Sequence, residues 1–234
     1  MAMAYREQFF EECQSFAGGL AGLSVLVVGC GRGLDCMPFV QAGAMVCGLD
    51  ICDDIGCEFP SARYVRASIE DCGLPSDSLD LIFCIATMEH VHRIERAFVE
   101  VVRVVRRGGL IYSVAAPLWN SRRGHHMDCL NRFPWIHLRM DRRQIVELGN
   151  REGILHDGME LRYMMDYLFV SDYFNRHPSI RYVNAVRNLS LGQIVRHDLW
   201  MDGEDELTPE IALELRDYRR EELLATSHVL AARK

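Results

Sequence analysis

No stretch of the 234 residues approaches the roughly 20 uninterrupted apolar residues that a membrane span needs. The opening "MAMAYREQFFEECQSF" lacks the basic start and apolar run of a secretory signal and carries Glu7, Glu11 and Glu12 instead, so a cytoplasmic protein is expected. A surplus of positive charge is missing too. The 33 acidic residues outnumber the 26 basic ones, and a net charge of −7 argues against non-specific nucleic-acid binding by the chain as a whole. Nine cysteines form an odd, scattered set in a chain large enough to bury its own core, which fits reduced thiols better than a disulfide framework. The spacing Cys47, Cys52, Cys57 does not match the short paired spacing of zinc sites, and no metal is expected. Internal repeats and low-complexity linkers are absent, so a single domain over residues 1–234 is the expectation.

What is present is an alternation of short apolar runs and helical segments. Residues 1–20 read as a capping helix with Phe9, Phe10, Cys13 and Phe16 on one side, ended by Gly18 and Gly19. From Ser24 follow "SVLVVG", "LDCMPFVQAG", "MVCGLDI", "ARYVRAS", "LDLIFCIA", "RIERAFVEVVRVVRRGG" and "LIYSVAAP". Runs as continuously apolar as residues 25–28 and 79–86 suit strands buried on both faces, and their separations suit crossover helices: an α/β fold with a helix-wound parallel sheet. Gly108 and Gly109, after Arg103, Arg106 and Arg107, read as a helix C-terminus.

Beyond Pro117 the pattern changes. Residues 118–140 are rich in Arg, His and aromatics without a clean period and read as a structured loop. "DRRQIVELGNREGI" predicts a helix capped by Asp141 and ended near Gly153. Residues 164–195 read as mostly helical around a break at Pro178, and "TPEIALELRDYRREELLA" as one helix with Pro209 in its first turn. The cluster "YMMDYLFVSDYFNR" from Tyr163 to Arg176, with Tyr163, Tyr167, Val170 and Phe174 at helical spacing, reads mostly as core, with a residue or two reaching a pocket as part of a lid. Residues 118–222 are therefore taken as an acceptor loop and helical cover over a core of residues 21–117, and residues 223–234, with "SHVLAARK", as a last strand.

At the end of the first run, Gly29, Gly31 and Gly33 are spaced G-x-G-x-G, and Leu34 stands where a dinucleotide fingerprint needs its third glycine or alanine. A strand running into such a turn still lets a ligand approach the backbone closely. Asp50 ends the second run about 20 residues on, where a carboxylate can accept both hydrogen bonds of a ribose diol. A nicotinamide-dependent enzyme remains one reading of these residues alone.

Four stretches in order carry a family resemblance: "VLVVGCGRG", "GLDI", "VRASIEDCGLPSDSLDLIFCIATMEHV" and "VVRVVRRGGLIYSVAAP". Together they resemble the successive motifs of class I S-adenosylmethionine-dependent methyltransferases, in particular the small-molecule, type 11-like group, over roughly residues 20–117. The resemblance implies a Rossmann-like, doubly wound seven-stranded sheet with the last strand antiparallel. It implies that Gly29, Gly31 and Gly33 line the amino-acid moiety of S-adenosylmethionine, that Asp50 holds the ribose, and that Ile51 lies against the adenine. Ser68 and Ile69 stand where the family often places an aspartate and an apolar residue beside the adenine, with Glu70 or Asp71 as substitute partners. Val28 replaces an acidic residue common in the family, which leaves main-chain carbonyls, including that of Cys84, for the cofactor's ammonium. Glu89 and His90 match the family's "EH" step and read as structural, His90 as a packed, hydrogen-bonded residue.

Methyl transfer from a sulfonium mainly requires that the acceptor be aligned and water excluded; a base is needed only for a protonated acceptor. For a hydroxyl, histidine is the natural base, with an unperturbed pKa of about 6.5. His125 and His126, past the fifth strand, are the candidates, one facing the pocket and the other packed. Arg122, Arg123, Arg132, Arg139, Arg142 and Arg143, interleaved with Trp119, Phe133 and Trp135, suggest a pocket for an anionic small-molecule acceptor, with Trp119, Arg122, Arg123 and Trp135 as its lining. The leading expectation is O-methylation of a small molecule. A non-catalytic S-adenosylmethionine sensor and a protein or RNA methyltransferase are the alternatives.

Overall fold

The computed structural model describes residues 2–234. Seven strands form one sheet: β1 (Ser24–Val28), β2 (Met45–Asp50), β3 (Arg63–Arg66), β4 (Leu79–Ile85), β5 (Val105–Ala115), β6 (Gln193–Met201) and β7 (Ala225–Arg233). Their order is β3-β2-β1-β4-β5-β7-β6. The first five strands are parallel, and β7 runs antiparallel between β5 and β6, with Ala115 opposite His228. The expected doubly wound sheet with an antiparallel last strand is what the chain forms.

Alternate side chains of the central strands enter two different cores, which is why the runs are apolar without interruption. Leu26, Val28, Ile82 and Cys84 face α3 (Ile94–Val104) and, with Tyr182, Ala185 and Val186, α5 (Ser179–Arg187). Val25, Val27, Leu81 and Phe83 face Phe9 and Cys13 of α1 (Ala2–Ala17) and Phe39 of α2 (Met37–Gln41). A third core under the cover joins Met127, Leu130 and Ile136 to Ile145 and Leu148 of α4 (Arg142–Glu152) and to Leu168 and Phe174. Asp141 and Gln144 form a reciprocal capping box at the start of α4, and Gly153, at φ 64°, closes it, as the local pattern predicts.

Three expectations are corrected. The helix before Gly108 stops earlier, at Val104, and β5 begins at once. The last carbonyls of α3 are satisfied by the N–H groups of Asp77 and Ser78, at 3.0 and 2.9 Å, so no glycine cap is needed. The stretch read as helical up to residue 195 instead ends in the edge strand β6, and residues 209–224 form two short helices, Pro209–Glu214 and Arg220–Leu224, rather than one. Among the described residues no helix is long and apolar enough to cross a membrane.

Candidate active site

The glycine turn departs from the C-terminal end of β1 between β2 and β4, and each glycine meets a different demand. At Gly29, φ 69°, a Cβ would stand 1.9 Å from the Thr87 hydroxyl oxygen, so only glycine lets Thr87 reach the carbonyls of Val28 and Ile85, at 3.2 and 3.1 Å. At Gly31, φ 49°, a Cβ would meet nothing within 4 Å, so its backbone faces open space. Gly33, φ 102°, makes room for the Tyr64 hydroxyl, 2.4 Å from where a Cβ would stand; this turn position packs on β3 and does not line the cavity beside the turn, as the resemblance implies it would.

That cavity, about 440 Å³, opens over the C-terminal ends of β1, β2 and β4, within the size range of small-molecule sites. Along one half lie Gly29, Gly31, Asp50, Ile51, Ser68 and Ile69, all named from the sequence. The Asp50 carboxylate accepts the Gly31 N–H at 2.8 Å and the Cys52 N–H at 3.0 Å, one bond per oxygen. Each oxygen keeps a further lone pair, sufficient for a ribose diol. Ile51 is 70% exposed beside it, an apolar surface in want of a flat cover. The Ser68 hydroxyl oxygen accepts the Glu70 N–H at 3.2 Å. Glu70 and Asp71, the substitute partners, are held in ion pairs with Arg93 and Arg96. An open glycine cradle, a carboxylate with lone pairs to spare and an exposed apolar wall are features that S-adenosylmethionine would fit. Cys84, whose main-chain carbonyl the resemblance offers to the cofactor's ammonium, is outside the cavity lining, paired in the sheet with Val28 and Ser113, and Ala86 and Thr87 line the wall there.

The loop after β5 is arranged differently from the sequence expectation, and His125 and His126 do not line the cavity. The buried His125 accepts the Met127 N–H on Nδ1 at 3.0 Å, which leaves the proton on a buried, unpartnered Nε2, and burial pushes its pKa down to about 3. His126 donates from Nε2 to the Pro117 carbonyl at 2.9 Å and is pushed down to about 4, again by burial. A third histidine, His137, holds the Trp119 carbonyl at 2.7 Å. These imidazoles tie the loop back on itself.

The expected arginine-lined pocket for an anionic acceptor is not assembled either. Arg122 pairs with Asp202 and Glu206, Arg132 with Glu152, Arg139 with Glu214, Arg142 with Asp166 and Arg143 with Glu147. Trp135 is fully buried with its indole N–H on the Leu223 carbonyl at 3.1 Å, and Trp119 packs in the cover core with Arg176 over its ring. Arg123, the remaining lining candidate, also stands outside the cavity. Of the aromatic stripe, Phe174 is buried, whereas Tyr163 and Val170 are exposed.

The rest of the cavity wall includes residues given no role or a structural one in the sequence, Thr87, His90 and His92, and Tyr173 of the aromatic cluster expected to send a residue or two to the pocket. Tyr173 sits one position off the stripe, and only the non-helical turn after Phe169 brings it to the wall. The "EH" step places His90 at the carboxyl end of β4, where open α/β sheets bind ligands, and that position was the available signal.

Residues 26–113 match the family described as a methyltransferase domain. A ubiquinone biosynthesis O-methyltransferase of Rhizobium etli is 33% identical over 101 residues, 40% of this chain and 41% of that protein. The thiol S-methyltransferase TMT1A of Homo sapiens is 32% identical over 120 residues, 46% of this chain and 48% of that protein. The match thus spans less than half the length of these curated relatives. A crystal structure of an S-adenosylmethionine dependent methyltransferase from Mesorhizobium loti superposes with a TM-score of 0.58 at 19% identity, over 96% of both chains, which shows the shared fold. Residues 26–113 thus carry the likeness to a methyltransferase domain, and the chain shares the fold of the superposed methyltransferase.

Proposed function

We propose that this protein transfers a methyl group from S-adenosylmethionine to a heteroatom of a small-molecule acceptor, with a hydroxyl oxygen as the leading case. The observation that carries the reading is the two-part cavity. Gly31, Asp50, Ile51, Ser68 and Ile69 line it past the ends of β1, β2 and β3, and Thr87 and His90 line it past the end of β4, with Tyr173 from the cover. When bound, S-adenosylmethionine supplies an already activated methyl group. The chain's own task is to hold the ribose through Asp50, leave space at Gly31, and exclude water with the cover. Curated relatives named for O- and S-methylation support a heteroatom acceptor. Because five of the six cover arginines are in internal ion pairs, the acceptor is not proposed to be anionic.

The test is to incubate the purified protein with methyl-labelled S-adenosylmethionine and a bacterial cell extract, then to separate small molecules from protein and RNA. Label in the small-molecule fraction is the expected result. Label confined to protein or RNA would replace the acceptor class, and cofactor binding without transfer to any fraction would favour a sensor.

A further inference from the structure

Two imidazoles line the cavity, His90 and His92, each with one ring nitrogen on a carbonyl oxygen, and of the two His90 is the one packed among aromatic rings. His90 lines the wall, with its side chain 22% exposed, and its Nδ1 stands 3.0 Å from the Tyr173 carbonyl oxygen. A carbonyl only accepts, so Nδ1 carries the proton and Nε2 is left with a free lone pair. The ring is held in place by Tyr173 at 4.3 Å between centroids, His126 at 5.3 Å and Phe174 at 5.6 Å. We propose that His90, rather than His125 or His126, is the catalytic base that takes the acceptor's proton on Nε2. The inference rests on the methyltransferase reading above and deepens it at the same site.

The surroundings keep that lone pair available. The nearest carboxyl, Glu89, has Oε1 3.8 Å from Nε2, too far for a hydrogen bond. An ionised carboxylate there would hold a proton on the ring permanently and remove the base. Glu89 is buried, with neither oxygen in a side-chain hydrogen bond, and desolvation raises its pKa well above the usual carboxylate range, which favours its neutral form beside the ring. Burial likewise lowers the pKa of His90. The other groups around the ring do not oppose this. His126, its Nε2–H on Pro117, is neutral, and His92 contacts the Asp172 carbonyl. Of the cavity's carboxylates, Glu70 is paired with Arg93, and Asp50 binds the turn. The step balances simply. The acceptor's O–H bond breaks with its proton moving to Nε2, and the oxygen's electron pair forms the bond to the methyl carbon as the carbon–sulfur bond breaks with its pair remaining on sulfur. The imidazolium then returns its proton to bulk water through the open side of the cavity.

The loop that the sequence singled out thus acts one layer back: His126 packs its ring against His90 and orients it. His126 itself stands outside the cavity lining, which His90 reaches.

The first readout needs no acceptor. Long-range proton–nitrogen correlation spectra of uniformly ¹⁵N-labelled protein with S-adenosylhomocysteine, the His90 ring assigned by its loss in His90→Gln, should show a neutral ring at pH 7 with the proton on Nδ1. An imidazolium, or a proton on Nε2, would overturn the proposal. In Glu89→Gln, which keeps the neutral shape, the same His90 signals are expected; a His90 pKa that falls in this variant would show Glu89 to be ionised and contradict the account. The second readout compares a catechol with a nitrocatechol already ionised at the assay pH. His90→Gln should slow transfer to the catechol by about 100-fold or more and to the nitrocatechol by less than about ten-fold, with affinity for S-adenosylhomocysteine unchanged. Equal losses on both would overturn the assignment of a base. Wild-type protein that binds no S-adenosylhomocysteine would overturn the methyltransferase reading itself, an outcome distinct from binding with the wrong tautomer.

Discussion

Replacing Gly29 with alanine is expected to destabilise the protein by about 2–5 kcal/mol, a large share of the roughly 5–15 kcal/mol that holds a domain together. Two independent costs add. The backbone at φ 69° lies in the left-handed region, where a side chain costs of order 1–3 kcal/mol. The new Cβ would also stand 1.9 Å from the Thr87 hydroxyl oxygen and 2.8 Å from its Cβ, so the end of β4 must move or the turn must open, and overpacking of this kind costs about 1–3 kcal/mol. Thermal unfolding followed by circular dichroism should show a melting temperature lower by about 5–15 °C. Gly31→Ala makes the informative contrast. At that position no atom lies within 4 Å of the added Cβ, so the stability loss is confined to backbone strain, while the methyl group intrudes on the space where a ligand would lie. Gly29→Ala is therefore read in stability, and Gly31→Ala in lost cofactor affinity. Equal melting temperatures for wild type and Gly29→Ala would show that Thr87 is not packed against the turn.

Replacing Trp135 with alanine is expected to cost about 3–5 kcal/mol, the range for emptying a large buried aromatic site. Trp135 is fully buried among Leu207, Leu215, Leu223 and Leu224, where it joins the loop after β5 to the segment entering β7. Its indole N–H donates to the Leu223 carbonyl at 3.1 Å, which the alanine variant would leave unpaired. The expected drop in melting temperature is about 6–20 °C, largely recovered in Trp135→Phe, which refills the volume without the donor. If Trp135 instead lined an acceptor pocket, the alanine variant would melt like wild type and lose activity alone. That outcome would restore the substrate-binding role the sequence suggests.

The parts of the fold that were legible are those set by short-range rules. Asp141, Gln144 and Gly153 announce both ends of α4 within one stretch of chain, and the uninterrupted apolar runs at residues 25–28 and 81–85 suit strands with both faces covered. β6 was not legible, because "QIVRHDLWM" is a half-exposed edge strand whose pairing partner β7 follows more than twenty residues later. Its identity lies in that distant pairing rather than in its own pattern. The same distinction divides the site. Gly31, Asp50, Ile51, Ser68 and Ile69 sit at the ends of adjacent parallel strands, so topology alone gathers them. Which histidine reaches the cavity depends instead on how an irregular loop folds. The carbonyls of Pro117 and Trp119 draw His126 and His137 inward, and the Tyr173 carbonyl fixes His90 at the wall. The arginines misled for a related reason: they look like a cationic pocket until the acidic residues of a distant segment, Asp202, Glu206 and Glu214, are brought against Arg122 and Arg139.

The central claim is that the glycine turn and Asp50 form a site for S-adenosylmethionine, and its most direct test is a calorimetric titration with S-adenosylhomocysteine, with NADH as the control. The wild-type protein should bind S-adenosylhomocysteine and not NADH, and Asp50→Ala should weaken that binding by about 100-fold, as the loss of two hydrogen bonds to a charged group implies. Binding of NADH in place of S-adenosylhomocysteine, or an affinity untouched by Asp50→Ala, would contradict it.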